Sequence, residues 1–288
     1  MFMNSAPAKK HLTRSIEKPR DIVPSGTVSA TDRGFLYGDG LFETIAVQSN
    51  CPLLLDLHLN RLADGCERLD IPIDVTKARK AVLKACTDVE LGVVRVSLTR
   101  GQGGEGYRPP VNAHPNLIVS TRPWPNRFTA NQEQGIETGL SDVQLSCQPL
   151  LAGLKHMNRL EQVMARLHSP KAWPEVIMTN ASREVIEGSF SNIFLLDPKG
   201  ELITPDLSSC GVSGVIRKTV INLANDERRP VVVRNVRISE LLSATELFFT
   251  NSLIGVWPIR KFEGKIFAVN FAREMHAKLQ SISAVIDA

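Results

Sequence analysis

Among the lysines of this chain, Lys155 has the setting best suited to covalent chemistry. It stands in Leu151-Ala152-Gly153-Leu154-Lys155-His156-Met157-Asn158-Arg159-Leu160-Glu161, where a glycine and an apolar stretch lead into a helix. From there Leu160, Val163, Met164 and Leu167 recur at i, i+3, i+4 and i+7, the apolar stripe of an amphipathic helix, while Arg159, Glu161, Gln162 and Arg166 take its other faces. The lysine therefore falls at the junction before the helix, not on the helix's solvent face. Partial loss of solvent lowers an amine's pKa, and a neutral amine can condense with a carbonyl compound to an imine. On position alone, a solvated lysine among 34 basic residues is the commoner outcome. Other motifs decide between the two.

Four further blocks stand beside the lysine block. They are Leu57-His58-Leu59-Asn60-Arg61-Leu62, Glu184-Val185-Ile186-Glu187-Gly188-Ser189-Phe190-Ser191-Asn192, Gly211-Val212-Ser213-Gly214-Val215-Ile216-Arg217 and Thr250-Asn251-Ser252. Their types and order, within 29–259, resemble the class IV branch of the pyridoxal-phosphate enzymes, which holds branched-chain and D-amino acid aminotransferases and aminodeoxychorismate lyases. The resemblance implies pyridoxal 5'-phosphate as cofactor, with Lys155 as its imine-forming residue. It places Glu187 beside the pyridine nitrogen, where a carboxylate keeps the ring protonated and able to accept electrons. The phosphate falls to the Val215 and Ile216 amides at a helix N-terminus, to the Ser252 hydroxyl, and to Arg61, whose planar fork suits two phosphate oxygens. Each block read alone is more ordinary: a hairpin carboxylate, a glycine-capped helix start, a polar turn, a solvated arginine.

Within that family two blocks resemble the lyase. One is the lysine block, in which Arg159 stands where aminotransferases often carry Tyr or Leu and is expected at the cofactor's phenolic oxygen. The other is Arg100-Gly101-Gln102-Gly103-Gly104-Glu105-Gly106-Tyr107. The implied reaction converts 4-amino-4-deoxychorismate to 4-aminobenzoate and pyruvate, with Tyr107 and Asn158 on the substrate and Thr44 as an acid for the departing enolpyruvate. Glu105 departs from the pattern, because the family often has a basic residue there and an acid would repel a dicarboxylate. A D-amino acid or branched-chain aminotransferase is the same-cofactor alternative, and an inactive pyridoxal-phosphate-binding protein the non-enzymatic one.

The elements that must position these residues read as a two-domain α+β protein. The family's fold type IV implies a smaller N-terminal α/β sandwich and a larger C-terminal α/β barrel-like domain. Gly38-Asp39-Gly40 is a tight corner between a loop and a β-rich stretch. Helices are expected over 57–69 and 77–89, and strands over 93–99 and 116–120. Pro123-Trp124-Pro125-Asn126 opens a linker over 125–134, so the domains are 21–124 and 135–288. The second should hold strands within 136–144, a meander through 176–196, a helix after Gly214, a strand over 246–249 and a helix from Asn270 to about Leu279. The first twenty residues read as a poorly ordered tail.

Composition sets the outer limits. At 288 residues the chain exceeds the usual single core, and 43% hydrophobic with 22% charged residues is ordinary for a globular protein. A net charge of +4, without a long run of one sign, suits small anions better than nucleic acid or a membrane surface. Five cysteines show no paired or zinc-ligand spacing, so they read as buried thiols in a reducing, cytoplasmic setting, and no metal is expected. The resemblance implies a homodimer.

Overall fold

The computed structural model describes residues 27–125 and 129–285. The tail expected over 1–20 and residues 126–128 of the expected linker lie outside the described residues. A short helix, α1 (Arg33–Tyr37), comes first; the Asp32 carboxylate accepts from the Gly34 N–H at its start, and Gly38 closes it at φ 66°. Only a turn and loop are expected here from sequence, since five residues are too few to show a helical period.

An antiparallel sheet follows, in order β2-β1-β3-β4, built from β1 (Gly40–Gln48), β2 (Cys51–Pro52), β3 (Leu91–Thr99) and β4 (Asn116–Pro123). β1 and β3 pair along their full length, from Gly40 against Thr99 to Gln48 against Leu91. Two helices, α2 (Leu55–Leu69) and α3 (Val75–Cys86), cover one face. Alternation in β1 sends Leu41, Ile45 and Val47 into that core with Leu59, Leu62, Val82, Val94 and Val96. Burying each such side chain stabilises by roughly 1.5–3 kcal/mol. Phe42 and Thr44 alternate to the other face, where Thr44 lies opposite Arg95 in register.

The rest of the chain runs α4 (Thr129–Gln134), β5 (Ile136–Thr138), α5 (Leu160–His168), β6 (Ile177–Thr179), β7 (Glu184–Gly188), β8 (Asn192–Leu196) and β9 (Leu202–Pro205). It continues through α6 (Val215–Asp226), β10 (Val231–Arg234), β11 (Val236–Arg237), α7 (Ile238–Ser243), β12 (Glu246–Asn251), β13 (Gly255–Phe262), β14 (Lys265–Ile266) and α8 (Asn270–Val285). A seven-stranded sheet takes the order β10-β9-β8-β12-β13-β14 with β5 on β13, and a three-stranded sheet the order β11-β7-β6. The two share a core in which Ile177, Val185 and Val236 meet Ile193, Leu195, Leu247, Phe249 and Trp257. On the larger sheet's other face, α6 and α8 cover Phe194 and Phe248 with Ile216, Val220, Ala272 and Met275. Central strands apolar on both faces are the result.

Several expectations are corrected. Helix α4 occupies part of the expected linker, and only Ile136–Thr138 of the strands expected over 136–144 forms a strand. The expected meander is divided between two sheets, because β7 pairs with β6 while β8 pairs with β9 and β12. The break is held by the buried Glu175 carboxylate, which accepts hydrogen bonds from Ser189, Phe190 and Ser191 at the turn between β7 and β8. The apolar stripe of α5 faces outward: Leu160 is 78% and Leu167 64% exposed, and Ala165 is buried instead. Periodicity groups residues onto one face without saying where that face turns. Among the described residues, no helix is long and apolar enough to cross a membrane, and no cluster of His, Cys, Asp and Glu could hold a metal.

Candidate active site

Extended backbone, not a helix, positions Lys155. The Phe42 N–H donates to the Lys155 carbonyl and the Met157 N–H to that of Gly40, each at 3.0 Å, so this strip is stitched to β1. On its other side the Gly153 N–H donates to the Gly211 carbonyl and the Ser213 N–H to that of Gly153. The loop that starts α6 is thereby fixed against the lysine's own segment. Arg159 donates to the carbonyls of His156 and Leu154, bracing the strip from the α5 side. The Asn158 amide donates to the Gly38 carbonyl at 3.3 Å, and a Cβ on Gly38 would lie 2.4 Å from Asn158 Oδ1. That close approach, at positive φ, requires glycine at the corner.

These elements enclose a cavity of about 600 Å³ between the first sheet and the C-terminal part. Thr44, Arg61, Lys155, Arg159, Glu187, Val215 and Ser252 all line it. Ile216 does not; its side chain packs into the α6–α8 core, and only its backbone belongs to the first turn of α6. Asn158 is exposed, donates to Gly38 and does not line the cavity. Tyr107 is 86% exposed, lies edge-on to Tyr37, and is outside the cavity, as is the exposed Glu105. Their loop is pinned by the buried Arg33, which donates to the carbonyls of Gly103, Gly106 and Tyr107. Asp39 anchors Arg33 and Arg100 together; burial alone would raise its pKa, but the two guanidinium groups hold it below the usual carboxylate range.

The Lys155 amine sits 4.5 Å above the Phe42 ring. Burial, helped by the positive charges of Arg61 and Arg159, pushes its pKa down to about 7 against the pull of Glu43 and Glu187. In cofactor-free protein, the rate at which Lys155 captures a simple aldehyde should therefore rise with pH and level off above about 7. Borohydride trapping and peptide mapping measure this, and a rise continuing to pH 10 would contradict the assignment. Burial raises Glu187 to about 7 even though its carboxylate accepts from the Val212 N–H at 2.8 Å and faces Arg159 and Lys155. Three arginines, Arg61, Arg159 and Arg166, line the cavity with Lys155 and that one acid, an environment for an anion.

The network behind Arg61 is not visible in the sequence. Glu43 takes the guanidinium fork expected for phosphate: Arg61 Nε and Nη2 both donate to its carboxylate, while Nη1 donates to the Ser213 carbonyl. One N–H on each terminal nitrogen is left for a ligand. Burial would raise Glu43, but Arg61 and His58 hold it down at about 2. His58 Nδ1 meets the same carboxylate at 2.7 Å and its Nε2 meets Ser252 Oγ at 3.2 Å. One carboxylate thus ties Arg61 and Ser252 together. The available signal was an acid at a core-facing strand position with His and Arg three apart on the facing helix. Arg95, stacked 4.1 Å from the Phe42 ring, was also missed.

A phosphate-bearing cofactor fits this cavity. No side chain caps α6 at Gly214, so its first-turn N–H groups are open to an anion. Thr250 Oγ1, Gln162 Oε1 and Arg166 Nη1 are buried without a partner, and all three residues line the cavity. Residues 40–262 match the family described as amino-transferase class IV. The chain belongs to this class IV family. Its members depend on pyridoxal phosphate, and an amine, a carboxylate and a phosphate cradle here are what that cofactor needs. A class IV relative named aminodeoxychorismate lyase, from Vibrio harveyi, is 33% identical over 82% of this chain and 88% of its own. The crystal structure of 4-amino-4-deoxychorismate lyase from Pseudomonas aeruginosa superposes with a TM-score of 0.86 at 41% identity, covering 90% of this chain and 96% of that one. A putative branched-chain-amino-acid aminotransferase from Methanocaldococcus jannaschii is 30% identical over 88% of both chains.

Proposed function

We propose that this class IV protein is a lyase that converts 4-amino-4-deoxychorismate to 4-aminobenzoate and pyruvate. The observation that carries the substrate is the 41% identity, over 90% of the chain, to the Pseudomonas lyase. The cavity's excess of cations, with Arg95 on the adjoining strand face, suits a substrate bearing carboxylates. The 30% identity to the Methanocaldococcus protein supports the aminotransferase as second reading. Supplying aminodeoxychorismate in one reaction, and D-alanine or a branched-chain amino acid with 2-oxoglutarate in another, separates them. The lyase reading expects turnover with the first to dominate by at least tenfold, and the reverse order rejects it.

When bound, pyridoxal phosphate supplies an aldehyde and an electron-poor ring that spreads the charge left by a departing proton. The protein supplies placement and proton handling. Arg61, Ser252, Thr250 and the first-turn amides of Val215 and Ile216 would hold the phosphate, and Glu187 would serve the ring nitrogen. Lys155, with a pKa near the working pH, takes the substrate proton on Nζ, the condition under which a general base is most effective. Thr44 shares that cavity wall and donates to the oxygen of the departing enolpyruvate. Arg159, which lines the same cavity, would serve the phenolic oxygen. Asn158 acts from behind by fixing the lysine strip, and Tyr107 has no cavity contact within one subunit.

The active form in this proposal is a cytoplasmic homodimer of two-domain subunits, 21–124 and 135–288, with the cofactor between the domains. Exposed apolar groups support the dimer: Phe35 at 74%, Tyr107 at 86% and Val111 at 100%, besides the outward stripe of α5. Cys66, Cys86, Cys147 and Cys210 carry thiols not joined in a disulfide, which suits a reducing compartment. Light scattering on the purified protein should give about twice the 31.7 kDa chain mass at micromolar concentration. A monomer that is fully active would contradict the dimer.

A further inference from the structure

Two cysteines sit at the back of the cofactor site with no role in the chemistry above. Cys147 is exposed and Cys210 buried, and their sulfur atoms are 3.8 Å apart although 63 positions separate them in sequence. A disulfide bond is about 2.05 Å long, so closing it asks the sulfurs to approach by roughly 1.8 Å. Cys147 lies in the segment that runs into Gly153 and Lys155. Cys210 immediately precedes Gly211 and Val212, which pair with Gly153 and bind Glu187, and the same loop leads into the first turn of α6.

We propose that Cys147 and Cys210 form a redox modification site, closing reversibly to a disulfide that clamps the lysine-bearing and phosphate-bearing loops together. The proposal rests on the cofactor reading of those loops. A peroxide is the oxidant. The Cys147 thiolate attacks its O–O bond, forming S–O and releasing water; Cys210 gives up its proton and attacks the Cys147 sulfur, forming S–S as the S–O bond breaks and a second water leaves. Two thiols are oxidised by two electrons and the peroxide is reduced to two waters. Exposure sets this order, and burial pushes the Cys210 thiol up to about 12, which makes it the resolving partner and not the first nucleophile. A dithiol reverses the reaction by exchange. The clamp crosses the bridge between Gly153 and Val212, so it opposes separation of the loops and slows cofactor loss.

The test treats the holoenzyme with hydrogen peroxide, alkylates the remaining thiols, maps the peptides and follows release of pyridoxal phosphate after dilution. The expected result is a cross-link between the Cys147 and Cys210 peptides, reversed by dithiothreitol, and cofactor release slowed about fivefold. Cys147→Ser, at an exposed position, should show neither change while keeping wild-type activity when reduced. Oxidation of Cys147 without a cross-link, a cross-link through another cysteine, or a cross-linked protein that releases cofactor at the reduced rate would overturn the proposal. Failure of reduced wild-type protein to bind pyridoxal phosphate would instead strike the cofactor reading.

Discussion

Replacing Lys155 by alanine is expected to remove the imine absorption of the holoenzyme and to lower turnover by roughly 10⁴-fold, the upper range for loss of one general base. The change deletes the amine that lies against Phe42 without disturbing the backbone bonds to Gly40, Gly211 and Phe42, which belong to the main chain. The fold should therefore survive, and the melting temperature should not fall, because a buried amine is costly to keep. Lys155→Arg should fail to restore activity, since a guanidinium stays protonated at any working pH. An intact imine band in the alanine variant would place the cofactor on another lysine and undo the assignment of the cavity.

Glu187→Gln is expected to keep the cofactor and lose the reaction. A neutral amide cannot hold the ring nitrogen protonated, and each unit of lost pKa support costs about 1.4 kcal/mol. Two units correspond to a roughly 10²-fold fall in turnover with little change in cofactor affinity. The same substitution has a stability signature in cofactor-free protein. The folded pKa of Glu187, about 7, lies above its ordinary 4.5, so the folded state binds the extra proton between those values. Its contribution is fully present below pH 4.5 and is lost as pH rises through 7. The Gln variant should lack that decline, which denaturant titrations at pH 4.5 and 7.5 measure. Loss of cofactor without a catalytic defect per bound site would make Glu187 structural.

The parts of the site legible in sequence are those whose chemistry is local. Lys155, Glu187 and the Gly214 turn each lie in a short string, and all three come to one cavity. The helices around Leu59 and Val82 are legible because their apolar period matches a buried face. What sequence does not show is pairing between distant segments. Glu43 reads as one strand carboxylate until α2 brings His58 and Arg61 to it, and the lysine strip reads as a helix entrance until Leu41 and Val212 pair with its two ends. The split of β7 from β8 depends on Glu175, which lies outside both strands. Tyr107 illustrates the remaining gap, since a glycine-rich string fixes that a loop exists but not where its side chains point, and here Tyr107 is exposed outside the cavity.

The reaction itself gives the most direct test. Aminodeoxychorismate supplied to the purified protein with pyridoxal phosphate, and with no keto acid, should yield 4-aminobenzoate and pyruvate in equal amounts through many turnovers. On the lyase reading Lys155 would return its proton at the end of each cycle, and no acceptor would be consumed. A transaminase stops after one half-reaction per site until an acceptor restores the aldehyde. Sustained, equimolar product formation unaffected by 2-oxoglutarate is the result the lyase predicts, and product that stalls at one equivalent per site and resumes when 2-oxoglutarate is added would contradict it.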